Sequence, residues 1–459
     1  MSRTAVICGS GNAAHLLVAL LGSQGWTVIS FVRDPNKLGT ALRGNGDGQI
    51  RALHKGREIA RGRPHLVTSN PEDVREADLV LLSLPGFAHR PILEQLAPFL
   101  KDGVLVGGLP ANGNFDLLCG ELFRTGYGDG EDANVHPSMK ETGAIGHGRV
   151  TVFGLCNLPW VCRTVELGSR VELMGFKGAV DCAAVPASET DRVCALLSSL
   201  FAPVMISPVR SFLSITLAPN NQVLHPACVY GVFGGWAETD FEKGVETAPL
   251  LYSSRNTVGL QAELLEHLAS EVKTVTRNLE LRVPGLDLTG QRGMFETMKR
   301  YYAHACPDSS SLSRLLATNP SYTPLKVPMV DKEKKKGGMK EGHGRRLVPD
   351  FESRYFTEDV PLGLCVVKGF ALFVDVHTPL LDRIVRWAQE RMPGSPNFID
   401  VSGKPGPDFL THTASPQSFG LSSLEAWAAR VHLQGGLCLG EISLTDCLEG
   451  LAGNVPTPA

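Results

Sequence analysis

The chain has 459 residues, 43% hydrophobic and 20% charged, which is enough for two or three cores of ~150 residues each. Its 44 basic and 47 acidic side chains leave a net charge of −3, too weak to gather nucleic acid or an anionic membrane, so small-molecule partners are expected. The 11 cysteines are scattered and never form a Cys-x-x-Cys pair, which argues for reduced thiols in the cytoplasm and against a zinc site; no apolar run approaches the ~20 residues of a membrane helix.

Thr4 to Cys8 predicts a short strand, Gly9-Ser10-Gly11-Asn12-Ala13-Ala14 a tight turn, and His15 to Leu21 the helix after it. That order is the dinucleotide-binding fingerprint with alanine in the third glycine place. Gly9 permits the turn, Gly11 lets backbone amides approach a pyrophosphate, and Ala14 lets helix and strand pack closely, with the helix N-terminus facing the negative charge. Trp26 to Val32 predicts the second strand, at whose end the adenosine ribose is read. Both possible readers stand there: Asp34 for a free 2′-hydroxyl, Arg33 for a 2′-phosphate or for stacking on adenine. NAD and NADP both remain open on these residues.

Further strands are expected at Pro64–Ser69, at Ala77–Pro85 with Pro85 bordering the nicotinamide, and at Val104–Gly108, whose exit loop runs Leu109-Pro110-Ala111-Asn112. A helix is expected over Pro91–Leu100. Alternation of strand and helix at this spacing implies an α/β, Rossmann-type doubly wound parallel sheet. Thr151–Gly154 and Arg170–Gly175 read as strands that extend it. Between them, Asn157 to Arg163 reads as a loop in which an exposed Trp160 with Arg163 borders a carboxylate site, although a packed tryptophan is the more frequent case. A helix at Glu189–Leu200 and a strand at Val204–Val209 end this domain, placed at residues 1–208.

From Ser211 onward strands disappear and helical periods dominate, as in Leu260–Leu279 and Gly293–His304, so residues 209–430 are read as a mostly helical second domain and 431–459 as a tail. A charged, glycine-bearing segment around 329–346 interrupts it and reads as a solvated loop. Near the start of this domain stands Asn220-Asn221-Gln222-Val223-Leu224-His225-Pro226. Histidine exchanges protons near neutrality, which makes His225 an acid/base candidate; on an apolar run it is more often a packing residue. After the charged segment, Arg354-Tyr355-Phe356-Thr357-Glu358-Asp359-Val360-Pro361 offers a guanidinium fork suited to a carboxylate and an aspartate able to orient an imidazole. It reads equally well as a helix start capped by Thr357 or Asp359.

Taken together, Gly9–His15, Gly86-Phe87-Ala88-His89, Leu158-Pro159-Trp160-Val161-Cys162-Arg163, Leu224-His225-Pro226-Ala227, Thr318-Asn319-Pro320-Ser321-Tyr322, Asp350 and Arg354–Pro361 resemble the opine dehydrogenases, nearest the octopine dehydrogenase type. They occur in the family's order from Val6 to about Trp427. The resemblance implies reductive condensation of an α-keto acid, typically pyruvate, with the amino group of an amino acid, using NAD(H) with NADP(H) as the alternative. It implies His225 as acid/base, Asp359 as its partner and Arg354 as the clamp on the keto acid carboxylate. Arginine-using members carry an acid where this chain has Cys156, and glutamine where it has Asn112. With no counter-charge for a cationic donor, a neutral donor such as glycine, alanine or taurine is expected, with Asn112, Cys156 and Trp160 as substrate residues. The monomer and the homodimer are both compatible with the sequence. A 6-phosphogluconate-like or glycerol-phosphate-like dehydrogenase would need a lysine in the His225 motif, which has none. A non-catalytic nucleotide sensor would not need His225, Arg354 and Asp359 together.

Overall fold

Ala5, Val6, Ile7 and Cys8 are all fully buried, so β1 (Thr4–Cys8) is covered on both faces, as a central parallel strand must be. The computed structural model describes residues 3–123, 149–252, 258–323, 325–332, 346–433 and 435. β1 is followed by α1 (Asn12–Ser23), β2 (Thr27–Phe31) and α2 (Pro35–Gly44), then by a pair of strands, β3 (Ile50–His54) and β4 (Arg57–Gly62). The main alternation resumes with β5 (Leu66–Thr68), β6 (Leu79–Leu82), α3 (His89–Leu96), β7 (Val104–Gly108), α4 (Phe115–Leu122) and β8 (Val150–Leu155). An antiparallel hairpin of β9 (Trp160–Glu166) and β10 (Arg170–Phe176) is followed by β11 (Ala179–Val185), α5 (Thr190–Leu200), β12 (Met205–Pro208) and α6 (Leu213–Thr216).

The eight-stranded sheet has the order β12-β11-β8-β7-β6-β1-β2-β5 and is parallel throughout except where β11 runs against β8. The predicted doubly wound sheet is therefore present. Every residue of β6 is fully buried. At ~1.5–3 kcal/mol for each such side chain, strands of this kind hold the layer together without help from surface charge.

Arg170–Gly175 does not extend this sheet. As β10 it joins a second sheet of order β4-β3-β10-β9. The reason lies in the alternation of β3 and β4: Ile50, Ala52, Ala60 and Gly62 are buried, whereas Arg51, Glu58 and Arg61 between them are solvated and ion-paired. A side chain at Gly62 would place its Cβ 2.5 Å from the Val18 carbonyl oxygen, which shows how closely β4 crosses α1. The expected loop over Asn157–Arg163 is also shorter than read, because the chain is already in strand from Trp160.

The described residues fall into two compact units. The first takes those of Met1–Ala218, Arg277–Gln291 and Phe419–Ala459; the second takes those of Pro219–Thr276 and Arg292–Ser418. The second unit is mainly helical: α7 (Asn221–Phe233), α8 (Glu238–Lys243), most of α9 (Val258–Arg282), α10 (Met294–Tyr302) and α11 (Leu312–Thr318), then helices at Cys365–Phe373 and Pro379–Gln389. Strands do not disappear after Ser211, however. Met329–Asp331 pairs antiparallel with Leu347–Pro349, a ladder of three residues a side that is too short to show alternation in sequence. These strands flank the charged segment, of which 333–345 lies outside the described residues, as do 434 and 436–459 of the expected tail. No helix among the described residues is long and apolar enough to cross a membrane.

Candidate active site

In the first unit the chain leaves β1 and β6 on either side of the point where strand order reverses, since the parallel sheet grows from β1 through β2 and β5 on one side and through β6, β7 and β8 on the other. Open α/β sheets bind ligands in the crevice at that point, beyond the carboxyl ends of the strands. Gly9–Ala14 follows β1, Pro85 follows β6, Asn112 follows β7 and Cys156 follows β8, so four of the sequence-predicted groups share one sheet edge.

The glycine loop fits a dinucleotide. Gly9 has φ +110°, and a Cβ there would lie 2.7 Å from Leu84 Cδ2, so no larger residue keeps this turn. Nothing lies within 4 Å of a Cβ placed on Gly11, which leaves the backbone open to a bulky anion. The N-terminus of α1 has no side-chain cap and no acid in its first turn, so its amides are available to negative charge. Ala13 and Ala14 are buried beneath the loop. At the end of β2, Arg33 is exposed, whereas Asp34 caps α2 by accepting the Lys37 N–H at 3.0 Å.

Asn112 is half-buried. Cys156 is buried and held by its own N–H on the Asp181 carbonyl at 3.0 Å. Trp160 is not exposed as the carboxylate-border reading required; it is 2% accessible and meets Phe201 edge to face at 5.0 Å. Sequence reasoning missed Lys177, which is buried behind the same loop. Its ammonium donates to the Leu158 carbonyl at 2.6 Å, and burial pushes its pKa down to about 8. A lone lysine between the apolar runs of β10 and β11 was the available signal.

In the second unit α7 carries His225, and the chain between the Arg354–Thr357 helix and the π-helical turn Val360–Leu364 carries Asp359. A Cβ on Gly363 would fall 2.2 Å from Gln222 Cβ, so only glycine lets the π-turn sit this close to α7, one turn before His225. His225 Nδ1 and Asp359 Oδ2 are 2.8 Å apart, with side chains 9% and 5% accessible. A carboxylate accepts, so Nδ1 carries the hydrogen and Nε2 is left for proton exchange. The Tyr355 ring stacks on the imidazole with centroids 3.8 Å apart and planes at 14°, fixing it from one face. Asn220 accepts the Tyr301 hydroxyl at 2.6 Å and anchors the start of α7. Arg354 is exposed and forms no ion pair with another described residue. The helix-start reading of Asp359 is not what its side chain does, since the carboxylate makes no cap bond.

A crossover-point glycine loop together with a buried, tautomer-fixed His–Asp pair defines an NAD(P)-dependent oxidoreductase. Residues 208–392 match the family described as NAD/NADP octopine/nopaline dehydrogenase, alpha-helical domain. The chain is 29% identical to octopine dehydrogenase of Pecten maximus over 93% of its own length and 98% of that protein's, and 28% identical to tauropine dehydrogenase of Arabella iricolor over 92% and 98%. A solved octopine dehydrogenase with NADH and L-arginine superposes with TM-score 0.74 at 27% identity, covering 93% of this chain and 98% of that one. The chain is thus similar over nearly its whole length to opine dehydrogenases, and residues 208–392 match their helical domain.

Proposed function

We propose that the protein joins an α-keto acid, pyruvate, to the amino group of a neutral amino donor and reduces the product with NAD(P)H to an N-(carboxyalkyl) amino acid. The observation that carries this reading is the buried His225–Asp359 pair. Condensation of keto acid and amine releases water and forms a C=N bond. The reduced nicotinamide, when bound, supplies the hydride. Hydride at carbon and a proton at nitrogen then give the secondary amine and the oxidised dinucleotide.

His225 supplies and retrieves that proton at Nε2 while Asp359 holds Nδ1–H and stabilises the imidazolium. Arg354 offers a bidentate fork to the keto acid carboxylate, and its exposure leaves the guanidinium available. Gly9, Gly11, Asn12, Ala13 and Ala14 form the dinucleotide loop, with Pro85 beside the nicotinamide. NAD(H) is the favoured cofactor, in keeping with the NADH of the octopine dehydrogenase structure. Arg33, exposed at the end of β2, keeps NADP(H) as the alternative. Asn112 and Cys156 are donor-side residues, backed by Trp160. An uncharged thiol at Cys156 offers no counter-charge to a guanidinium, so glycine, alanine or taurine suits it better than arginine. The protein is placed in the cytoplasm, as a monomer or homodimer.

The test is NADH and NADPH oxidation with pyruvate and a panel of amino donors. Turnover with a neutral donor above that with arginine supports the reading. Absence of turnover with every donor, from protein that binds dinucleotide, rejects it.

A further inference from the structure

Two side chains at the start of α1 bond to the β9–β10 hairpin, Asn12 from an exposed position and His15 from a buried one. Asn12 Oδ1 accepts the Thr164 N–H of β9 at 2.8 Å. His15, 1% accessible, has Nδ1 3.0 Å from the Gly11 carbonyl oxygen and accepts the Gly168 N–H at Nε2, 2.8 Å away. The Gly11 oxygen also accepts the His15 backbone N–H at 3.1 Å. One neutral tautomer, with hydrogen on Nδ1, satisfies both ring contacts; an imidazolium would turn an Nε2–H against the Gly168 N–H. Gly168 lies between β9 and β10, and its carbonyl accepts the Asn45 side-chain amide at 2.6 Å. Asn45 caps the C-terminus of α2, the helix whose N-terminus carries Asp34. A single turn residue therefore ties the start of α1 to the end of α2.

We propose that Asn12 and His15 are positioning residues for the dinucleotide, lashing the glycine loop to the β9–β10 hairpin through Thr164 and Gly168, and that the brace holds only while His15 is neutral. This rests on Gly9–Ala14 being the dinucleotide loop. Burial lowers the pKa of His15, opposed by the Gly11 carbonyl, so the brace is intact at neutral pH and loosens in acid. The titratable groups on elements packed against α1 are Cys8 on β1, Arg51 and His54 on β3, Arg57, Glu58 and Arg61 on β4, Cys162, Arg163 and Glu166 on β9, and Arg170 and Glu172 on β10. The charged ones are exposed or half-exposed, His54 faces the Leu173 carbonyl, and burial holds both thiols protonated by pushing their pKa values up to about 12. His15 is thus the group whose charge change strikes the loop directly.

The experiment is the Kd of NADH, measured by fluorescence from pH 5.5 to 9 on the full chain as wild type, His15→Gln and Asn12→Ala, with thermal melts alongside. The wild type should lose affinity as pH falls, approaching tenfold per unit once His15 titrates. His15→Gln should bind several-fold more weakly at pH 8 and lose most of the pH dependence. Asn12→Ala should bind more weakly at every pH and keep the wild-type slope. His15→Gln with wild-type affinity and slope overturns the proposal; if that variant does not fold, unchanged affinity in Asn12→Ala overturns it. A wild type that binds neither NADH nor NADPH fails the dinucleotide reading itself, and the brace with it.

Discussion

The two units carry their chemistry in different ways. At the sheet edge of the first unit the groups that matter are backbone: a glycine at φ +110°, an uncapped helix start and a reversal of strand order. In the second unit they are two side chains 134 positions apart, brought to 2.8 Å by a π-turn that needs Gly363 to pack on α7. A backbone site tolerates change in most side chains and fails at a glycine. A side-chain site fails at the pair itself and keeps its ligand affinity.

The largest expected effect follows from that contrast. His225→Ala should lower kcat by roughly 10²–10⁴-fold, the usual worth of a positioned acid/base, with NADH Kd unchanged. A parallel loss of NADH affinity would mean the two functions are not separable as described. In the opposite direction, Gly9→Val should raise NADH Kd by about tenfold or more, because the side chain meets Leu84 and the φ is left-handed. Unchanged Kd would remove the glycine loop from cofactor binding. Arg354→Lys should raise the keto acid KM by roughly tenfold while leaving NADH Kd alone, since an ammonium cannot reproduce the bidentate fork. An unchanged KM rejects the clamp.

The smallest effect at neutral pH is on stability. His89 is buried with Nε2 3.1 Å from the Leu84 carbonyl, and burial lowers its pKa from 6.5 to about 4; that of His15 is lowered in the same direction. Between these values the unfolded chain binds protons that the native state refuses. Stability is therefore complete above pH 6.5 and falls as pH drops towards 4, by about 3 kcal/mol for His89. A denaturant midpoint flat from pH 7 to 4.5 would contradict this.

How much of this was legible in sequence depended on range. The loop Gly9–Ala14 and most strands of the main sheet are local patterns and stand close to where they were read, whereas β11 was not anticipated and Arg170–Gly175 was assigned to the wrong sheet. The small sheet was missed because β3 and β4 show the solvent charges Arg51, Glu58 and Arg61 on one face, which masks a strand. Trp160 was read as part of a loop over Asn157–Arg163, although β9 starts at that position. Nothing local in Leu224-His225-Pro226 announces Asp359. The family resemblance linked them, and the hydrogen bond gives that link a geometry.

The most direct test is a double-mutant cycle on His225 and Asp359, read as kcat/KM for keto acid and amino donor with saturating NADH. If the two act as one unit, His225→Ala and Asp359→Asn each lower kcat/KM, and the double variant is scarcely worse than His225→Ala alone. Additive losses, or an Asp359→Asn variant as active as wild type, would contradict the account.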